Sequence, residues 1–492
     1  MKRVWLVVAL AALGVLASKT FADVQNIRLS GDIRIRGYFL DSAGGDIPDG
    51  APYAPIKGND SFIEQRTRVS VEADLEDHVL VVVTLQAEGE WGADNSVGAI
   101  GAGTGNANGT SLDSNGNPNP SGNKISRMWG VGIAEAYVQF NEVFYTPATL
   151  KLGRQYLQYG RGLILSSVEQ EYNYDAARLV LDYYPLTIDV VGAEVVNNQS
   201  FGGTPNKALQ GATLPPPLGA NDLLFVNARY ELSDSAIKDV EAYLGWLSQS
   251  ANNLISESRV PATLGASSPI IVGLRADINP LDALQTWWEA AYEFGANGSG
   301  VAGAGDNGGS IGAFLLNAGG KYTFKDVQWV PVLNGNFIYA SGGGDGQEVS
   351  GAGNAQFRPW FDYADGYNGY LFEPALSDIA IFNLGASVKP YENTTLSLQA
   401  YYYLKADKAG LAGSNGNVDW GGPTWAAPAV GSTGNDNGLG WELDGILGYD
   451  YSKDVRAQLV YGVFLPGDAY RNAAVQVTRA AEEVRAELNV KF

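Results

Sequence analysis

Residues 26–40 read NIRLSGDIRIRGYFL. Ile27, Leu29, Gly31, Ile33, Ile35, Gly37 and Phe39 alternate with Arg28, Ser30, Asp32, Arg34, Arg36 and Tyr38. Successive side chains of a strand point to opposite faces, so this is a strand with one apolar and one charged side. The pattern repeats downstream, where Thr67, Val69, Val71, Ala73 and Leu75 oppose Arg66, Arg68, Ser70, Glu72 and Asp74. After a tight turn at Glu76–His78, Val81, Val83, Leu85, Ala87 and Trp91 oppose Thr84, Gln86, Glu88 and Glu90. A β-sandwich shows the same alternation strand by strand, so strand length and connectivity must decide.

Extended outward, this reading predicts eighteen strands, at 26–40, 61–75, 79–91, 131–140, 149–157, 176–184, 187–196, 222–232, 237–248, 269–278, 284–295, 310–324, 328–341, 377–389, 394–405, 438–451, 455–464 and 479–492. The middle strands read least clearly. Most are long enough to cross a bilayer at a tilt, whereas sandwich strands are usually about five or six residues. The connections alternate strictly between long and short: 41–60, then 76–78, 92–130, 141–148, 158–175, 185–186 and onward. Long loops at one end and short turns at the other are the pattern of an all-β, antiparallel up-and-down transmembrane barrel. An even strand number puts both termini on the periplasmic side. The last strand, with Val484, Ala486, Leu488, Val490 and Phe492 on one face, ends on an aromatic residue. Trp91, Trp288, Tyr402 and Tyr449 are candidates for interfacial girdles.

Composition narrows the rest. The 492 residues include 53 acidic and 32 basic side chains, a formal charge of -21, with no Cys and a single His. Cysteine nucleophiles, disulfides and Cys/His zinc sites are excluded or nearly so. So strongly acidic a chain is a poor nucleic-acid binder. No metal site and no cofactor are expected; Asn435-Asp436-Asn437 lacks a calcium-ligand spacing. Lys2, Arg3, the apolar run Val4–Leu16 and Thr20-Phe21-Ala22 predict a cleaved signal peptide over 1–22. Residues 23–492 then form a single barrel domain in the outer membrane, in contact with lipid and lipopolysaccharide.

Eighteen strands enclose an aqueous channel, and the polar faces should line it. Candidate basic lining residues are Arg28, Arg34, Arg36, Arg66, Arg68, Arg178, Arg229, Arg275, Arg456 and Arg485. Candidate acidic ones are Glu64, Glu72, Asp74, Glu88, Glu90, Glu135, Asp182, Glu289, Glu293, Glu442, Asp444 and Glu487. Such a mixed lumen suits hydrophilic solutes and creates a transverse field. Loops 92–130, 342–376 and 406–437 are long enough to fold inward. Arg358-Pro359-Trp360-Phe361-Asp362-Tyr363 is aromatic enough to pack in the barrel mouth or to contact sugar rings.

Several segments resemble the alginate export family of outer-membrane barrels, in matching order from about residue 150 onward. They are Leu152-Gly153-Arg154-Gln155, Tyr174-Asp175-Ala176-Ala177-Arg178, Ala340-Ser341-Gly342-Gly343-Gly344-Asp345, Leu376-Ser377-Asp378 and Pro466-Gly467-Asp468-Ala469-Tyr470. The resemblance implies eighteen strands and a passive channel whose arginine-rich lumen passes a polyuronate outward. It also implies that Arg154 and Arg456 are pore arginines. Strict alternation from Leu150 and Leu152 points Arg154 at lipid, so an inward Arg154 requires a bulge near Gly153.

The leading expectation is therefore a porin-like channel for hydrophilic solutes, with anionic polysaccharide as one specialised cargo. A general or nutrient-uptake porin and a barrel sheathing a periplasmic partner protein are the alternatives. A barrel enzyme needs a His base at the outer rim, and His78 lies in a predicted periplasmic turn, so no enzymatic activity is expected.

Overall fold

The computed structural model describes residues 24–41, 59–75, 78–91, 128–167, 173–196, 221–232, 236–248, 268–296, 310–342, 355, 357, 360, 368–372, 374, 376–406, 437–470 and 480–492. The expected signal peptide, and most of loops 92–130 and 406–437, lie outside these residues.

Eighteen strands form one antiparallel sheet: β1 Val24–Asp41, β2 Asn59–Leu75, β3 Val79–Glu90, β4 Met128–Phe140, β5 Ala148–Gln155, β6 Tyr174–Tyr183, β7 Leu186–Val196, β8 Asn221–Glu231, β9 Ile237–Ser248, β10 Ser268–Leu281, β11 Leu284–Ala296, β12 Ser310–Thr323, β13 Val332–Ala340, β14 Ile379–Tyr391, β15 Thr394–Lys405, β16 Gly438–Asp450, β17 Val455–Pro466 and β18 Ala481–Lys491. Each strand pairs with its sequence neighbour, and β1 pairs with β18, for instance Ile33 with Val490. Gly31 and Phe492 exchange two backbone hydrogen bonds at this seam. The ring has no free edge, so every strand has its ladder partners on both sides, as a sheet in hydrocarbon requires.

Two of the differences from the expected strand bounds have a visible cause. Trp329 and Val330 adopt φ of 67° and 45°, which breaks extended structure, so β13 begins at Val332 rather than 328. The strand expected over 149–157 stops at Gln155, and the chain beyond it turns into the barrel.

The outer face is apolar. Ile27, Leu29, Leu244, Leu316, Leu384 and Leu398 are exposed on it. Phe337, Phe382, Tyr402 and Trp441 are register partners across β13–β16, and their rings touch in sequence, with Tyr402 and Trp441 centroids 4.3 Å apart. This is one arc of an aromatic belt near the long-loop end. A bulge between β3 and β4 pairs Thr84 with Glu135 but Leu85 with Ile133. Ala134 absorbs the extra residue, so Ile133 faces out while Glu135 faces in.

The inner face has two halves. Toward the short turns it is polar and water-exposed; Arg28, Arg229 and Arg456 have side chains 50%, 45% and 51% accessible. Toward the long loops it is apolar and buried, with Val191, Leu223, Phe225, Leu247, Ile271, Leu315, Ile338, Ile381, Tyr403 and Phe464 in one cluster. This departs from the expected lining by polar faces, and the connections that fold inward explain it.

The two-faced wall gives a direct test. Leu316→Arg places a charge at mid-strand on the lipid face and should lower unfolding free energy by about 2–4 kcal/mol. Lys321→Ala, on the inner face near the short turns, should be close to neutral. Urea unfolding from lipid vesicles measures both.

Candidate functional site

Among the described residues, two connections occupy the barrel interior. The β5–β6 connection enters as a narrow hairpin. Tyr159 N donates to Leu165 O at 3.0 Å, Gly162 N to Tyr159 O at 3.0 Å, and Leu157 N to Ser167 Oγ at 2.9 Å. Leu157, Leu163, Ile164 and Leu165 are buried against the inner wall. The tip is tied to that wall through its own backbone. Gly160 N donates to Glu241 Oε1 and Arg161 N to Glu289 Oε2, each at 2.8 Å, while Tyr243 Oη–H donates to Glu289 Oε1 at 2.7 Å. Gly160 sits at φ 60°, and a Cβ there would lie 2.3 Å from Glu289 Oε1. Only glycine allows this approach. The Arg161 guanidinium lies over the Trp287 ring at 4.5 Å and 3.4 Å from Asp277.

Tyr159 stacks on Phe225 and donates to Asp189, which also accepts from Arg178 Nε at 2.8 Å. Burial pushes the Tyr159 phenol above its ordinary range, while Arg178 opposes the shift. The phenol therefore stays a donor at any physiological pH. Loop 158–175 was not among the connections expected to fold inward; its signal was the apolar run Leu163-Ile164-Leu165 inside an otherwise polar stretch.

The β13–β14 connection, which was expected to fold inward, does so. Trp360 lies over Gly245 and donates through Nε1 to Glu293 at 3.1 Å. This places the described member of the aromatic hexapeptide within the barrel; Arg358, Pro359, Phe361, Asp362 and Tyr363 lie outside the described residues. Further along, Tyr370 N and Leu371 N donate to Glu442 Oε1 at 2.7 and 2.8 Å, and Phe372 N donates to Oε2 at 2.9 Å. The Tyr403 hydroxyl bonds Asn368 O at 2.6 Å and lies 3.1 Å from Glu442 Oε2. Phe372 stacks on Phe464. Tyr370 O accepts from Arg485, whose guanidinium lies between the Tyr38 and Tyr370 rings at 5.1 and 5.5 Å. The segment thus crosses from β15–β16 to the β18–β1 seam. Burial pushes the Tyr370 phenol upward against its hydrogen bond with Gln458.

The charged candidates sort into three settings. Arg28, Glu72 and Asp74 form a triad in the open half, with Arg28 2.9 Å from Glu72 and 2.7 Å from Asp74. Arg456 pairs there with Asp450 at 2.9 Å, and Arg229 reaches Glu231 and Asp239. Deeper in, Arg66 and Arg68 share Asp32, Arg34 lies 3.6 Å from Glu88, and Arg36 pairs with Glu487. Lys151 lies over the Tyr137 ring at 3.9 Å. Glu90 shares the inner face of β3 with Glu88. Across the barrel, Arg275 is held by Asp239, Glu241 and Asp277. Glu442 and Asp444 point inward but are fully covered; they meet the loop, not a water-filled passage.

Arg154 belongs to neither inner group. Its strand pairs in continuous register with both neighbours, so the bulge that an inward Arg154 requires is absent. It bonds Asp175 on the outer face, at 2.8 Å through both Nε and Nη2. Asp175 in turn registers with Glu194, and Glu194 with Asp222. This polar row marks where the apolar band ends, which is why an outward arginine is tolerated. Gly153 has φ 126° and lies so close to β4 that a Cβ would be 2.2 Å from Ala136 O. That close approach accounts for the glycine beside Arg154. Among the described residues no group of three or more acidic or His side chains converges as metal ligands.

A closed eighteen-stranded barrel with an apolar outer belt is an integral outer-membrane channel. Residues 56–482 match the alginate export family, and the chain belongs to it. No curated protein sequence matches the chain. Among solved structures, OccK8 (OprE) of Pseudomonas aeruginosa aligns with a TM-score of 0.54 at 9% identity, over 96% of this chain and 99% of that one. OccAB4 of Acinetobacter baumannii gives 0.52 at 10% identity over 95% and 99%. OccK11 (OpdR) of P. aeruginosa gives 0.51 at 11% over 96% and 97%. At these identities the likeness is one of fold.

Removing an anchor should loosen the interior. Glu442→Ala strands three loop amides, two of them buried, and should cost on the order of 3 kcal/mol in stability, with larger and noisier single-channel currents. Arg154→Leu should leave conductance and ion selectivity unchanged.

Proposed function

We propose that the protein is a passive channel for small hydrophilic solutes, narrowed by its two inward connections. The observation that carries this reading is the divided lumen: a charged, hydrated half leads to a half in which loop and wall pack together. The open half has a modest acidic surplus, since Arg28 faces two carboxylates and Arg229 lies between Glu231 and Asp239. Rings of charge at this scale bias ion passage, so cations are favoured at the periplasmic entrance. Beyond it, the arginines of β1, β2 and β18 face the acidic cluster of β9–β11 half a circumference away, which sets up a transverse field suited to dipolar solutes.

Passage of an anionic polysaccharide is the second reading. Family membership supports it, as does the grouping of Arg34, Arg36, Arg66, Arg68 and Arg485 around the β18–β1–β2 seam. Those arginines have carboxylate partners or neighbours, so the wall offers a polyanion less than the arginine count suggests.

Planar-bilayer recording in a salt gradient separates the two. The small-solute reading predicts a reversal potential of cation preference and currents unaffected by added oligouronate. Anion preference with block by oligouronate would replace it with the polyanion reading.

A further inference from the structure

One stretch of the inner wall carries almost no charge. It lies on β11–β15, one to two residue rows toward the short turns from the packed loops, and its side chains form two adjoining groups of hydrogen-bonded amides. Asn334 Nδ2 donates to Asn383 Oδ1 at 3.1 Å and to Gln399 Oε1 at 3.2 Å, and Asn383 Nδ2 donates to Gln399 Oε1 at 3.2 Å. Gln399 Nε2 lies 3.4 Å from Asn334 Oδ1. On the adjoining strands, Asn336 Oδ1 accepts from Trp287 Nε1 at 3.0 Å and from Asn317 Nδ2 at 2.9 Å.

The indole fixes the orientation of Asn336. An indole N–H can only donate, so Asn336 must turn its carbonyl to Trp287. Its amide NH2, with no partner among the described residues, is left facing the lumen. Gln399 likewise spends one of its two N–H groups and keeps the other. Asn334, Asn336, Asn383, Gln399 and Trp287 are all partly water-exposed.

Two glycines let the set lie flat. A Cβ on Gly319 would be 2.6 Å from the Trp287 ring, and one on Gly385 would collide with the Gln399 amide. These side chains therefore rest on bare backbone rather than projecting into the passage. The carboxylates in register beside the set, Glu289 opposite Asn317 and Asp444 opposite Gln399, are buried and closed off from water. The other charges close by are Lys321 on β12 and Arg161, which is engaged with Trp287 and Asp277.

We infer that this platform is a binding track for neutral, hydroxyl-rich solutes, namely uncharged oligosaccharides. Amides both donate and accept, as sugar hydroxyls do, and neighbouring strands repeat them at about 4.8 Å. The rigid internal network means little ordering is lost on binding. An uncharged surface offers no advantage to an ion, so the selected class is polar and neutral. The inference rests on the channel reading for access but is tested separately from it.

The test uses maltohexaose with the purified full chain, measuring binding calorimetrically in detergent and ion current in a planar bilayer. The expected result is calorimetric binding with transient current block. Asn336→Ala and Gln399→Ala should each bind about five- to tenfold more weakly. Heat-modifiable migration in gels verifies that both variants form the barrel, and Arg154→Leu is the unaffected control. Binding that depends on Asn336 and Gln399 without ion current would sustain the track and overturn the channel reading. Ion current without maltohexaose binding, or binding equal in all variants, would overturn the track.

Discussion

A sheet in hydrocarbon cannot leave an edge unpaired, and closing one with eighteen strands creates an interior that the wall's own side chains cannot fill. That surplus space is the constraint on which the rest of the structure depends. In the half near the short turns it is open to water and the wall is polar, charged over most of its circumference. In the other half, two connections fill it and the wall is apolar. Burying apolar surface at roughly 25 cal/mol per Å² favours this packing, but loop backbone carried inside needs hydrogen-bond partners. Glu241, Glu289 and Glu442 supply them, each accepting loop N–H groups. The inward glutamates of β9, β11 and β16 are thus structural anchors before they are pore charges.

The strand number, the alternation of long and short connections and the antiparallel order were legible because the outer face repeats at a period of two along most of the chain. The inner face was legible only where it is wet. In β1 and β2 the charged residues alternate cleanly with Ile27, Leu29 and Val71, and the structure keeps that division. In β12, Ala313 and Leu315 face inward while Phe314 and Leu316 face lipid, so both faces are apolar and the alternation vanishes. The middle strands read least clearly for this reason: their inner face was chosen to receive a loop, and the loop lies far away in sequence.

The lumen charges were visible as residue types but not as roles. Arg28, Arg66, Arg68, Arg178 and Arg456 each meet a carboxylate contributed by another strand or another part of the fold. Alternation placed them correctly on the inner face, but pairing depends on register, which a single strand does not state. Arg154 shows the reverse case. Its alternation pointed outward, and the unbroken register of β4, β5 and β6 leaves it there, at the polar boundary of the membrane band.

Because the chain has no cysteine, single-cysteine variants probe the divided lumen directly. Labelling with a membrane-impermeant thiol reagent applied from the short-turn side should modify Asn334→Cys and Asp450→Cys rapidly. Leu315→Cys and Ile381→Cys, also on the inner face but under the packed loops, should stay unmodified until the protein is unfolded. Equal labelling at all four positions would mean that water runs the length of the barrel, and would contradict the account of an interior half filled by its own connections.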